Sequence, residues 1–159
     1  ANASVWVAGL PYDVTYHELL ASIRGCGKVK WTNIDFPRDA TGTATAQVIF
    51  FRHIAAKRFI AQGQIGQVVV NGARVEVSWN RVKTVEEDDT DKSRVLRISG
   101  PQNMISERQL MAFLMANFQF DIDDVIEVWS SEESACLEVR FASWRSQAHT
   151  AKIALCQEY

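Results

Sequence analysis

The side chains that could do chemistry in this 159-residue chain fall into three groups. The first is Asp121, Asp123 and Asp124, an acidic cluster with the look of a metal site. One short loop supplies all three, and the further oxygen ligands of a calcium site are missing, so the cluster reads as a solvated loop. The second is His17, His53 and His149, which lie far apart and beside no serine or cysteine nucleophile pattern. No acid–base pair can be assembled, and Gly25-Cys26-Gly27 is a helix-to-strand turn rather than a phosphate-cradling loop. The chain is expected to be no enzyme and to need no cofactor. The third group is set by alternation along strands. In Val5-Trp6-Val7-Ala8, Val5 and Val7 share one face and Trp6 and Ala8 the other. In Thr45 to Phe50, Ala46, Val48 and Phe50 share a face, leaving Thr45, Gln47 and Ile49 on the other. A bulge near Lys30 would turn Val29, Thr32, Ile34 and Phe36 inward and Trp31, Asn33 and Asp35 outward. Side-chain amides both donate and accept hydrogen bonds, so tryptophans among Asn33, Gln47, Ser78 and Asn80 offer recognition rather than catalysis.

The elements that must carry these residues can be read from pattern. Residues 4–8 form a strand. Thr15 then opens a helix, with capping-box spacing to Glu18 and staple spacing between Val14 and Leu19. Leu19, Leu20 and Ile23 make its buried stripe. Strands over 28–36 and 43–51 flank a turn from Pro37 to Gly42 that is rich in breakers. A second helix covers roughly 53–62, burying Ala56, Phe59 and Ile60. Asn71-Gly72 turns a hairpin between 68–70 and 74–79, which puts Trp79 on the core side. The order is βαββαβ, the split-βαβ sandwich. Residues 83–93 are acidic, hold one aliphatic side chain and show no periodicity, so they read as a linker.

The order then restarts. A strand over 94–99 precedes a helix capped by Ser106 and Gln109, stapled by Ile105 and Leu110, and running to about Phe118. Strands over 125–129 and 135–141 follow, then a helical stripe of Ala148, Ala151 and Ile153 to about Leu155. No fourth strand can be read. The predicted class is α+β, two ferredoxin-like sandwiches in tandem, the second lacking its fourth strand. The predicted domains are 1–82 and 94–159, with 83–93 between them.

Totals bound the partners. Net charge is −2, but it is unevenly placed. Residues 1–82 hold nine Lys/Arg against five Asp/Glu, net +4, and residues 83–159 hold eight against fourteen, net −6. A phosphate backbone would be drawn to the first half and repelled by the second. No apolar run approaches the ~20 residues of a membrane helix, so no membrane partner is expected. Three cysteines, odd in number and without CxxC spacing, suit a reducing compartment. The expected location is intracellular, nuclear or cytoplasmic.

A strand reading V-W-V-A-G-L-P, a helix, a strand, a turn reading R-D-A-T-G and a strand ending in V-I-F together resemble the RNA-recognition motif. The resemblance recurs, more weakly, at Val95-Leu96-Arg97-Ile98-Ser99-Gly100-Pro101. It implies single-stranded RNA bound on the sheet face, with two or three bases stacked on aromatic residues. Trp6 stands at the aromatic position of the first strand. Thr45 and Gln47 stand at the two aromatic positions of the third, so one platform is kept and two are lost, with Trp31 a substitute. The implied contacts are Asn33, Gln47, Ser78 and Asn80 to base edges, and Lys30, Arg38, Arg74 and Arg81 to phosphates. In the second unit the corresponding positions read Leu96, Cys136 and Glu138, and a carboxylate would stand where bases stack. That unit is expected to serve protein contact, with a partner or a second copy. Its helix carries Leu110, Met111, Phe113, Leu114, Met115 and Phe118 over more than half its circumference, leaving Met111 and Met115 outside the sheet's cover. Met111, Met115 and Phe118 are the candidate protein-contact residues. The rival reading is a protein-interaction module of the same fold with little or no RNA binding, favoured by the missing aromatics at Thr45 and Gln47.

Overall fold

β1 (Ser4–Leu10) follows its alternation, with Val5 and Val7 fully buried and Trp6 and Ala8 half-buried on the opposite face. It belongs to the first of two units, Ala1–Asp91 and Lys92–Tyr159, in a computed structural model that describes residues 1–89 and 92–158. α1 (Tyr16–Ala21) starts where its cap dictates. The Glu18 amide donates to Thr15 Oγ1 at 3.1 Å, and the Thr15 amide donates to Glu18 Oε1 at 3.2 Å. β2 (Val29–Asp35), β3 (Ala44–Phe50) and α2 (His53–Gln64) follow. The hairpin of β4 (Val69–Val70) and β5 (Ala73–Arg74) turns on Asn71 and Gly72, with φ of 50° and 78°. Both are left-handed, as a two-residue turn matched to strand twist requires. β6 (Glu76–Trp79) completes an antiparallel sheet of order β2-β3-β1-β6. The core lies between the sheet and both helices, and Phe50 meets Phe59 edge-on at 5.8 Å between centroids.

The bulge falls at Lys30, between the pairs Val29–Phe50 and Trp31–Ile49. It turns Trp31 and Asn33 outward, as the pattern predicts. Phe36 corrects the pattern. It was expected inward and is 57% exposed, because pairing ends at Asp35 ahead of Pro37 and alternation no longer steers it. Trp79 lies parallel to the His53 ring, 5.1 Å between centroids, and is 39% exposed.

The second unit runs β7 (Val95–Pro101), α3 (Glu107–Asn117), β8 (Ile122–Ser130), β9 (Ser134–Phe141) and α4 (His149–Glu158). Its sheet is antiparallel in the order β7-β9-β8, three strands among the described residues. Ser106 caps α3 by accepting from the Gln109 amide at 3.2 Å. Leu110, Leu114, Leu137, Val139, Phe141, Ala148 and Ala151 form the core, whereas Ile153, expected in the buried stripe, is exposed. The architecture is α+β, two ferredoxin-like sandwiches in tandem.

Part of the predicted linker is built into the first unit. The Ala3 amide donates to Thr84 O at 2.8 Å, and the Glu87 amide donates to Phe51 O at 2.8 Å. Backbone groups at the end of the sheet need partners, and this segment supplies them. The compositional boundary at residue 82 and the structural one after Asp91 differ for that reason.

Candidate nucleic-acid interface

Residues directly opposite on paired strands share a face. Asn33 lies opposite Gln47, Gln47 opposite Trp6, and Trp6 opposite Ser78. One row of side chains therefore crosses all four strands on the helix-free face of the first sheet. Neighbouring strands are about 4.8 Å apart, so the row is about 14 Å long. Its indole is flanked by two amides and a hydroxyl, each able to donate and accept. Trp31 and Ile49 form the next row toward one end, with Ser4 beyond. Asp35 and Thr45 lie toward the other end, as do Ala8 and Glu76. Thus Trp6, Trp31, Asn33, Thr45, Gln47 and Ser78, scattered in sequence, come together on one surface.

Other expected contacts lie elsewhere. Asn80 is a correction. It is 9% exposed, its Nδ2 donates to Ser4 Oγ at 3.1 Å, and its Oδ1 accepts from the Val82 amide at 3.2 Å. That amide is engaged within the protein by Ser4 and Val82. Arg38, Arg74 and Arg81 are exposed, Arg38 in the turn before β3 and Arg74 on the small hairpin. Asp39 fixes the turn beside Arg38 by accepting from the Thr41 amide at 2.9 Å. The bonds from Thr41 hold the Asp39 carboxyl below the usual range. Lys30 pairs with Glu87 at 3.2 Å. Sequence reasoning missed this acidic partner because it assigned Glu87 to a linker.

The second sheet presents different chemistry. Leu96 lies opposite Val139 and packs on the core, so it does not occupy the face. Arg97 does, opposite Glu138. Matching Gly9 with Gly100 puts Arg97 in the place of Trp6 and Glu138 in the place of Gln47. The reading that put Leu96 on the face was off by one residue, which in a strand inverts the side. Arg97 Nε donates to Glu138 Oε1 at 3.2 Å, and Arg140 Nη2 meets Oε2 at 2.7 Å. Arg140, then Arg97, hold the Glu138 carboxyl below its usual range. On α3, Met115 is 71% exposed. Met111 and Phe118 are half-buried against the core, which corrects the expectation that Met111 lies outside it. Phe118 packs on Phe120 at 5.1 Å between centroids. Met115, Phe118, Phe120, Asp121 and Gln147 line a surface cavity of about 630 Å³.

Among the described residues no group of three or more His, Cys, Asp or Glu side chains is placed to hold a metal ion. No described helix is long and apolar enough to cross a membrane. No protein-family model matches the sequence, and no curated protein matches it. Among solved structures the chain is similar to the Sex-lethal RNA recognition domains 1 and 2 from Drosophila melanogaster. The identity is 23% and the TM-score 0.41, over 97% of this chain and 94% of that one. It is similar at 24% identity and TM-score 0.41 to a Sxl-lethal protein/RNA complex, over 98% of this chain and 90% of that one. It is also similar at 15% identity and TM-score 0.43 to the first two RRM domains of the yeast poly(U)-binding protein, over 95% and 88%.

Proposed function

We propose that the chain binds single-stranded RNA on the outer face of the first sheet, and that the second unit makes protein contact. The observation that carries the first part is the row Asn33–Gln47–Trp6–Ser78, with Trp31 beside it. An aromatic platform is sequence-tolerant because every base has a π-face. Amides beside it can satisfy a base edge of either polarity. Arg38, Arg74 and Arg81 supply positive charge for phosphates, in the half of the chain whose net charge is +4. On the second sheet the equivalent places are filled by a salt-bridged Arg–Glu pair. A base would have to displace that pair, so the division of labour follows residues 1–82 against 94–159. Protein contact falls to Met115 and its cavity.

An NMR titration of the full chain with mixed-sequence single-stranded RNA tests the division. Signals of Trp6, Trp31 and Gln47 should move while those of Arg97 and Glu138 stay. Equal shifts on both sheets would refute it. The second reading, a protein-interaction module, is favoured by one observation: Thr45 and Gln47 leave β3 with no aromatic on the face. Failure of all RNA shifts would select it.

A further inference from the structure

Residues 82–89 cross the end of the first sheet one strand at a time. The Val82 amide donates to Asn80 Oδ1 beside β6 at 3.2 Å, and the Thr84 amide donates to Asn2 Oδ1 ahead of β1 at 3.0 Å. The Glu87 amide reaches Phe51 O after β3 at 2.8 Å. Lys28 Nζ, ahead of β2, donates to Asp89 O at 2.9 Å. The segment brings carboxylates to the cations at this end. Arg52 Nε meets Glu86 Oε1 at 3.1 Å and Lys30 Nζ meets Glu87 Oε1 at 3.2 Å. Ser4 and Ile49 point to the outer face in the row nearest the segment, yet both are buried, whereas Trp6 and Gln47 one row up are half-buried.

From this arrangement we infer that residues 82–89 are a displaceable strap, whose carboxylates occupy the cations that RNA phosphates would otherwise take. The inference rests on the sheet-face reading above. Lys30 and Arg52, held by carboxylates, and Lys28, held by the Asp89 carbonyl, are three of the nine basic residues of the first half, all at the end of the sheet next to Trp31. With the strap closed, RNA is left the tryptophan rows with Arg38, Arg74 and Arg81. With it open, the strand gains two to three phosphate contacts. The Arg52–Glu86 pair is half-exposed and such pairs are weak, whereas Lys30 is largely buried beside Glu87, so displacement by a polyanion starts at Arg52. If the strap is closed about nine-tenths of the time, apparent affinity lies about tenfold below that of the open state.

The test uses the full chain and a labelled, short, mixed-sequence single-stranded RNA pool. Glu86→Gln with Glu87→Gln should tighten binding by about tenfold and steepen its salt dependence. Two phosphates more would steepen the log–log slope by about 1.4, at about 0.7 per phosphate for single strands. Saturating RNA should also speed hydrogen exchange of the Glu87 amide in the parent. Binding that falls with Trp6→Ala yet is unchanged in affinity and salt slope by the two Gln substitutions would overturn the strap alone. So would undiminished protection of the Glu87 amide in the RNA-bound parent. No binding by the parent or by the Gln variants would overturn the sheet-face reading and the strap with it.

Discussion

Asn80→Ala separates a base-reading amide from a structural one. The side chain makes two hydrogen bonds, to Ser4 Oγ and from the Val82 amide. Their loss is unequal. Val82 is exposed, so water can replace Asn80 at its amide. Ser4 is buried, so its hydroxyl is left without its donor. Stranding a buried polar group costs about 1–3 kcal/mol, and the bond at Val82 adds about 0.5 kcal/mol, for a total of about 2 kcal/mol. For a domain of this size each kcal/mol lowers the melting temperature by roughly 4–8 °C. Asn80→Ala should therefore melt the first unit about 10 °C early. Ser4→Ala with Asn80→Ala should cost less than the sum of the single changes, because neither partner is then stranded. Thermal unfolding by circular dichroism measures both. A variant as stable as the parent that binds RNA more weakly would refute the structural role and return Asn80 to the interface.

Four further outcomes are expected. The carboxyl of Glu138 is held below the ordinary glutamate value of 4.5, so its contribution is present above that value and is lost as pH falls through the lower folded value. Acid titration of Glu138→Gln should show a shallower loss of stability below pH 4.5 than the parent, and an identical acid limb would contradict the pairing with Arg140 and Arg97. Met115→Glu should leave stability within about 0.5 kcal/mol while weakening assembly or partner capture. Met111→Glu, half-buried on the core, should destabilise by about 2 kcal/mol or more in urea unfolding. Gly63→Ala would by helix propensity gain about 1 kcal/mol. A Cβ there would lie 2.8 Å from Val77 Cβ, so it should instead destabilise, and Val77→Ala in the same chain should recover part of the loss.

Local signals were the most legible. The Thr15 and Ser106 caps, the Asn71-Gly72 turn and the alternation of β1 each depend on a few adjacent residues, and each is found. Even the bulge at Lys30 could be inferred, because only a skipped residue lets Val29, Thr32 and Ile34 share a face. Misreadings arose where a side chain's place depends on distant backbone. Leu96 and Arg97 are both plausible outward residues until the pairing with β9 fixes the register. Asn80 looks like its neighbour Ser78 until Ser4 and the returning chain engage it. The run Glu86 to Asp89 has the composition of a linker, and nothing in it announces that Phe51, Lys28, Lys30 and Arg52 will hold it. Hydrophobic count alone left Met111 outside the core, because it could not show that Met111 packs against the core while Met115 does not.

Trp6 bears the central claim most directly. Its indole lies on the outer face opposite Gln47 and Ser78, away from the core, so Trp6→Ala should fold as the parent does. Stacking on an aromatic is worth about 1–3 kcal/mol per base, and about 1.4 kcal/mol is tenfold in affinity. Fluorescence anisotropy of a labelled single-stranded RNA, selected against the parent, should show Trp6→Ala binding about tenfold or more weakly at the same salt. Equal affinity in a folded Trp6→Ala protein would contradict recognition on this face.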